Sequence, residues 1–73
     1  MTPAQCRAAR ALIQMSQFEL AGNAVVPQGV IVAYEAGTVT PRPADLKAIQ
    51  YALERTGVEF IHLSGQSGVR LRK

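Results

Sequence analysis

Side chains that usually carry catalysis are scarce in this sequence of 73 residues. It holds one histidine (His62), one cysteine (Cys6) and one aspartate (Asp45), far apart in the chain. A catalytic site needs a nucleophile or base beside a group that orients it, and no such set or phosphate-cradling glycine loop stands out. We therefore expect no enzyme, no metal site and no cofactor. Cys6 is expected to be a small, half-buried apolar residue, and one cysteine excludes an internal disulfide.

The strongest pattern in the chain is the stretch from Ser16 to Gly37, SQFELAGNAVVPQGVIVAYEAG. Ser16 with Glu19 three residues later forms a capping box that predicts a helix start, and Pro27 suits the first turn of a second helix. Two stripes recur at helical spacing, Leu20, Ala21 and Ala24 in the first helix and Ile31, Tyr34 and Glu35 in the second. A helix, a short turn and a second helix predict a helix-turn-helix, whose second helix can enter a DNA major groove.

Two further helices flank this unit. Thr2-Pro3-Ala4-Gln5 has a cap, a proline and a glutamine in the order that opens a helix, which Ala-rich sequence carries to about Met15. Another helix is predicted from about Pro43 to Thr56-Gly57. The expected buried stripes are Cys6, Ala9, Leu12 and Ile13 in the first of these helices, and Leu46, Ile49, Ala52 and Leu53 in the second.

The C-terminal part changes from helical to alternating periodicity. Residues 58–63 are β-prone, 64–68 read as a loop, and 69–72 alternate strictly. An isolated hairpin is only marginally stable, so this one should pack on the helices or pair with a second subunit. We therefore predict a mainly α fold, with a helix-turn-helix domain at 1–57 (motif 17–36) and a hairpin extension at 58–73 for packing or dimerisation.

The net charge of +3 lies in the C-terminal tail, because Arg70, Arg72 and Lys73 account for all of it and residues 1–69 hold five basic and five acidic side chains. The central motif has no Lys or Arg, so charge by itself is a weak guide to nucleic acid. No apolar run approaches the roughly 20 residues of a membrane span, and no long hydrophobic region follows Arg7 and Arg10 as in a secretory signal. We expect a cytoplasmic protein with no membrane partner.

The residues of the motif match a known pattern. The string S-Q-x-x-L-A-x-x-A from Ser16 to Ala24 resembles the Cro and phage-repressor type of helix-turn-helix, often called the Xre family. Further matches along nearly the whole chain are Val26, Ile31, Glu35-x-Gly37, Pro41, and the runs 6–10, 40–46 and 57–61. The resemblance implies a compact four-helix domain that binds double-stranded operator DNA, usually as a homodimer, and that mostly represses transcription.

The resemblance also assigns site residues. Gln17 matches a glutamine that holds a phosphate and braces the recognition helix, here 28–36, and Gln28 matches one that reads a base, for which a carboxamide suits adenine. The remaining groove-facing positions are Gly29, Val32 and Ala33, and the backbone-facing positions are Thr38, Thr40 and Arg42. Arg10 and Glu35 resemble a structural ion pair. The chain departs from the family at Val25, where members have a turn glycine, and at Pro27, where they have a Ser or Thr cap.

The expected function is that of a sequence-specific regulator of transcription, a repressor that binds a near-palindromic operator as a dimer. The alternative is a protein-interaction module of the same fold, such as an antitoxin-like or co-regulatory subunit, because the two central helices are apolar and acidic. A protein partner thus stays open, as does the role of Phe18, which either folds onto a neighbouring helix or marks a partner surface.

Overall fold

The computed structural model describes residues 1–72, in which four helices precede a two-stranded antiparallel sheet. The elements are α1 (Pro3–Ile13), α2 (Gln17–Ala24), α3 (Gln28–Glu35), α4 (Pro43–Glu54), β1 (Val58–Leu63) and β2 (Gln66–Leu71). The predicted mainly α chain with a C-terminal hairpin is therefore confirmed. Within residues 1–72, every helix is too short or too polar to cross a membrane. Lys73, part of the predicted basic tail, lies outside the described residues.

Side chains fix the starts of the first two helices. The Thr2 hydroxyl accepts a hydrogen bond from the Gln5 amide (3.1 Å), and the Gln5 side chain accepts one from the Thr2 amide (2.9 Å). Ser16 and Glu19 make the same exchange at α2, at 3.0 and 2.9 Å. Both predicted capping boxes are therefore present, and each satisfies two amides that the first helical turn leaves without partners.

The helices bury the predicted stripes around one small core. Its apolar members are Cys6, Ala9, Leu20, Ala21, Ala24, Ile31, Tyr34, Ile49, Ala52, Leu53 and Val58. The prediction for Leu12 was wrong, since this side chain is 41% exposed, whereas Gln5 is 2% exposed. Gln5 and Leu12 are seven residues apart and so share one edge of α1. The hairpin covers that edge at Gln5 but leaves it open two turns later.

The hairpin is tighter than the sequence suggested. Its strands pair from Val58↔Leu71 to Leu63↔Gln66, so that Ser64 and Gly65 make the whole turn. The predicted loop at 64–68 was therefore too long. Gly65 adopts a φ of +73°, which costs glycine nothing and reverses the chain at once. The polar run 66–68, typical of a loop, consequently falls inside the ladder.

The hairpin packs within its own chain, against α1 and α4. Val58 joins the core, and Phe60 and Val69, which are paired across the strands, pack against it. The side-chain nitrogen of Gln5, Nε2, donates to the carbonyl of Ile61 (3.2 Å) and to that of Gly68 (2.9 Å). One side chain of α1 thus holds both strands at the same rung.

The turn between α2 and α3 places a valine in a left-handed conformation. Val25, at φ 58° and ψ 50°, ends α2, and its side chain is 89% exposed. The Val26 amide then bonds back to the Ala21 carbonyl at 3.0 Å. A β-branched residue is strained in this region, where glycine is not.

We expect Val25→Gly to stabilise the protein. The left-handed conformation costs an L-residue about 1–2 kcal/mol, which glycine avoids. Glycine in turn lowers the stability by about 0.5–1 kcal/mol, because its unfolded chain is more flexible. The net gain of about 0.5–1 kcal/mol should raise the melting temperature by a few degrees. The control is Val39→Gly, the same change at an exposed site without a positive φ, which should lower stability. Thermal unfolding in which both variants lose stability equally would contradict the assignment of strain to Val25.

Candidate nucleic-acid interface

Helix α3 has one face in the core and one face in solvent. Ile31, Tyr34 and Glu35 are buried, and the Tyr34 hydroxyl donates to the Met1 carbonyl at 3.0 Å. The opposite side, which we call the outer face of α3, consists of Gln28, Gly29, Val32, Ala33 and Ala36. All of these are exposed except Ala33, which is half-buried. The predicted groove-facing residues therefore share one accessible surface.

The outer face of α3 carries no charged side chain. Gln28 supplies its polar chemistry, and Val32, at 44% exposure, is its largest apolar residue. At Gly29 an added Cβ would meet no atom within 4 Å, so the surface beside Gln28 is open. The N-cap residue Pro27 makes no side-chain capping bond. Another molecule can therefore approach the start of this helix closely.

Glu35 anchors the other side of α3. Its carboxylate accepts two hydrogen bonds from Arg10, from Nε to Oε2 at 2.7 Å and from Nη2 to Oε1 at 2.6 Å. Gln17 Nε2 donates to Oε1 at 3.0 Å, and the Cys6 thiol donates to Oε2 at 3.2 Å. Arg7 also donates to the Glu35 backbone carbonyl. Helices α1 and α2 thus both hold α3 through one residue.

The side chains of this ion pair are well removed from solvent, with 19% of Arg10 and 3% of Glu35 exposed. Burial opposes ionisation of Glu35, but the hydrogen bonds from Arg10, Gln17 and Cys6 outweigh it, and the pKa of Glu35 lies below its ordinary value. Arg10 makes a further bond to the Met15 carbonyl at 3.0 Å. The expected Arg10–Glu35 pair is present, and it is fully hydrogen-bonded.

Cys6 lies beside this pair and is buried more deeply than the sequence indicated. It is fully buried, and burial, together with the nearby Glu35 carboxylate, raises the pKa of its thiol to about 12. A protonated thiol is a weak donor, so Cys6 can give its hydrogen to Glu35. The expected half-buried position is therefore wrong, because α3 closes over this residue. No local sequence signal marks it, since Cys6 and Glu35 are 29 residues apart.

The side-chain amide of Gln17, a half-buried residue, donates to Glu35 and so braces α3.

The loop after α3 contains the other residues predicted to face a nucleic-acid backbone. The Thr38 hydroxyl donates to the Ala33 carbonyl at 3.1 Å and so closes the end of α3. Thr40 is exposed, and Arg42 is the N-cap residue of α4, with 83% of its side chain exposed and a 3.5 Å contact to Asp45. Phosphate contacts by these loop residues and by Gln17 stay predictions.

Other accessible features lie away from α3. Phe18 is 72% exposed, so it does not fold onto a neighbouring helix. An open groove of about 530 Å³ runs along the hairpin and is lined by Glu54, Val58, Glu59, Phe60, Ile61, Arg70 and Arg72. Within it, Arg70 and Glu59 pair across the strands at 2.7 Å. The groove therefore offers two carboxylates, two guanidiniums and an apolar floor.

We expect Arg10→Met to destabilise the protein by about 3–5 kcal/mol, because it leaves a buried carboxylate without its partner. A domain of this size has a total stability of that order, so much of the variant should be unfolded at 25 °C. The double variant Arg10→Met/Glu35→Gln removes the charge as well and should recover a large part of the loss. Urea titration of Arg10→Met, of Glu35→Gln and of the double variant gives the coupling energy between the two residues. Additive losses would show that the pair contributes nothing as a unit.

Acid should weaken the protein through Glu35. Its folded-state pKa is lowered, so its contribution is present in full above the unfolded glutamate pKa of about 4.3 and is lost as the pH falls through the folded-state pKa. Glu35→Gln should be less stable than the native chain at pH 7 and should lose less stability between pH 5 and pH 2. Parallel pH-dependent unfolding curves for the two proteins would contradict this role of Glu35.

Comparison with known protein families finds no match for this chain, and a search of curated proteins finds none either. The function is therefore inferred from the geometry of the residues themselves. Two features stand out for that purpose. The first is the accessible, uncharged outer face of α3, and the second is the buried pair behind it, which fixes the helix relative to α1 and α2.

Proposed function

We propose that this protein is a sequence-specific DNA-binding regulator of transcription of the Cro and phage-repressor type, which represses from a near-palindromic operator. In this proposal α3 enters the major groove with its outer face toward the bases. The observation that carries it is the position of α3, which is accessible on one side and held on the other through Glu35. A reading helix must keep its orientation when its accessible side contacts DNA.

The order of elements supports the proposal. Helices α2 and α3 pack on one another and are joined by only three residues, Val25 to Pro27. Short-turn helix pairs of this kind place their second helix in the major groove, while the first crosses the backbone. Gln17 is the first residue of α2 and Arg42 is the N-cap residue of α4, and helix N-termini favour phosphate. In the proposal these two positions, with Thr40, hold the DNA backbone on either side of α3, and Thr38 closes the end of α3 through its bonds to Ala33.

A second copy of the chain completes the proposed regulator. The groove along the hairpin carries Glu54 and Glu59 together with Arg70 and Arg72, a balanced set of charges that suits neither DNA nor an acidic surface. Glu59 and Arg70 are paired within each chain, but across a twofold axis Glu54 of each copy can meet Arg72 of the other, because such an interface uses the same patch twice. The proposed dimer joins through the hairpin and the end of α4.

A protein-interaction module is the second candidate, and the chemistry of α3 favours it. Most DNA-reading surfaces use arginine or lysine, and the outer face of α3 has neither. Phe18 and Val25 are also exposed apolar residues on the same helix-turn-helix unit. Retention on immobilised DNA that falls with salt supports the DNA-binding function, whereas a partner protein that co-purifies at all salt concentrations supports this alternative.

Binding to duplexes selected from a random pool tests the proposed function. Gln28→Ala should lose preference at one base pair, which is worth about 1–3 kcal/mol for a good carboxamide contact. Arg42→Ala should weaken binding to all duplexes and reduce the slope of log K against log salt by about one.

The matched controls are Gln66→Ala at the hairpin turn and Arg55→Ala just after α4, which remove the same groups from residues that line neither the outer face of α3 nor the hairpin groove. The guanidinium carbon of Arg55 lies 5.2 Å from the centre of the Tyr51 ring. The site assignment fails if the controls change DNA binding as much as the Gln28 and Arg42 variants do.

Charge exchange tests the proposed dimer. Glu54→Arg and Arg72→Glu each place like charges across the twofold axis and should weaken self-association about tenfold or more. The double variant restores opposite charges and should recover it. Sedimentation of each protein over a range of concentrations, in low and moderate salt, measures the effect. A native chain that stays monomeric, or a double variant weaker than either single one, would overturn the dimer.

A further inference from the structure

We infer that the part of the operator facing α3 consists of A·T pairs, and that thymine methyl groups are read by Val32 and Ala33 beside an adenine read by Gln28. The inference rests on the proposed DNA-binding function and specifies its substrate. It follows from the side chains that the outer face of α3 contains and from those that it lacks.

Each base pair demands particular chemistry in the major groove. Guanine offers two acceptors, which arginine or lysine contacts, and cytosine offers a donor, which aspartate or glutamate accepts. The outer face of α3 contains none of these four residue types. Adenine offers a donor and an acceptor that match a carboxamide, and thymine offers a methyl group that matches an apolar side chain. The face therefore lacks the side chains that read G·C pairs best and has those that match A·T pairs.

The one charged residue of α3 is not available for reading a base. Glu35 lies in the core, and both of its carboxylate oxygens accept hydrogen bonds from Arg10. The exposed residues just before the helix are Val25 and Pro27, and those just after it are residues 36–40, all of them uncharged. The Thr38 hydroxyl is already engaged with Ala33. The residues beside the outer face thus add mainly apolar surface, and the proposal assigns Arg42, the basic residue that follows them, to the DNA backbone.

The spacing on the helix places the two kinds of contact side by side. Gln28 and Val32 are four residues apart and so lie on the same side of α3, separated by about 6 Å along its axis. That distance corresponds to roughly two base-pair steps along a strand. Ala33 follows on the neighbouring side of the outer face, and Gly29 leaves room for the groove wall. An adenine contact and adjacent methyl contacts can therefore form together.

Replacing thymine by uracil tests the inference, because it removes the methyl group and leaves base pairing intact. The duplex is first selected from a random pool with the native chain and is then made with uracil at each thymine in turn. We expect a half-site without G·C pairs at the α3 positions and a loss of about three- to tenfold in affinity at one or two thymines. Removal of one or two methyl groups from an apolar contact accounts for a loss of that size.

A double-mutant cycle assigns the methyl contact to a residue. Val32→Ala should weaken binding to the thymine duplex by about the same factor as the uracil replacement does. On the uracil duplex, Val32→Ala and the native chain should bind with equal affinity. Leu63→Ala, which shortens an exposed apolar side chain at the hairpin turn, away from α3, is the control and should lose equally little on both. Circular dichroism of the variants checks that each is folded.

The outcomes separate the inference from the function on which it rests. Selection of half-sites with G·C pairs under α3, or binding that is indifferent to every uracil replacement, would overturn the A·T inference and leave DNA binding intact. Failure to enrich any duplex, together with no salt-dependent binding to DNA, would overturn the proposed function itself.

Discussion

The buried pair of Arg10 and Glu35 determines how this small domain is put together. Removing two charges from water is costly, and a pair is tolerated when its geometry is good and its remaining polar groups are bonded. Here the carboxylate accepts four hydrogen bonds, two from Arg10 and one each from Gln17 and Cys6. Such bonds are directional, whereas apolar contacts are not. The pair therefore fixes the orientation of α3 in a way that the core cannot.

The core needs this help because it is small and made largely of small residues. Four of its eleven apolar members are alanines, which bury little surface each. The hairpin compensates in part, since Val58 joins the core and Gln5 binds both strands through its amide. Polar groups on α1 thus stabilise both ends of the molecule, Arg10 holding α3 and Gln5 holding the hairpin. Helix α1 therefore connects α3 with the hairpin, whereas α2 and α4 pack on one another.

Local interactions could be predicted from the sequence, and long-range ones largely could not. The capping boxes at Thr2 and Ser16 join residues three apart, so their pattern is visible in the sequence. Helical spacing likewise predicted the buried stripes. The Gln5 bonds span 56 and 63 residues, and the Cys6 bond spans 29, so no periodicity reveals them. The Arg10–Glu35 pair joins residues 25 apart, and its prediction came from a resemblance of the motif and not from spacing.

The same distinction between local and long-range interactions applies to the candidate site. Its accessible residues follow from helical periodicity once Ile31, Tyr34 and Glu35 are assigned to the core. The engagement of Thr38 with Ala33 and the left-handed conformation of Val25 depend on backbone geometry, which helical periodicity does not reveal. What the outer face binds depends on a second molecule, and the side chains restrict that molecule by their chemistry. They exclude a site that relies on basic side chains from α3.

The central claim is that the outer face of α3 contacts DNA bases, and a nuclear magnetic resonance titration tests it most directly. The ¹⁵N-labelled chain would be titrated with a duplex selected from a random pool, and the amide shifts would be mapped on the structure. The account predicts the largest changes at Gln28, Gly29, Val32 and Ala33, with a second group at Thr38 to Arg42. Changes confined to the hairpin groove or to α4 beyond its first turn, with α3 unaffected, would contradict it.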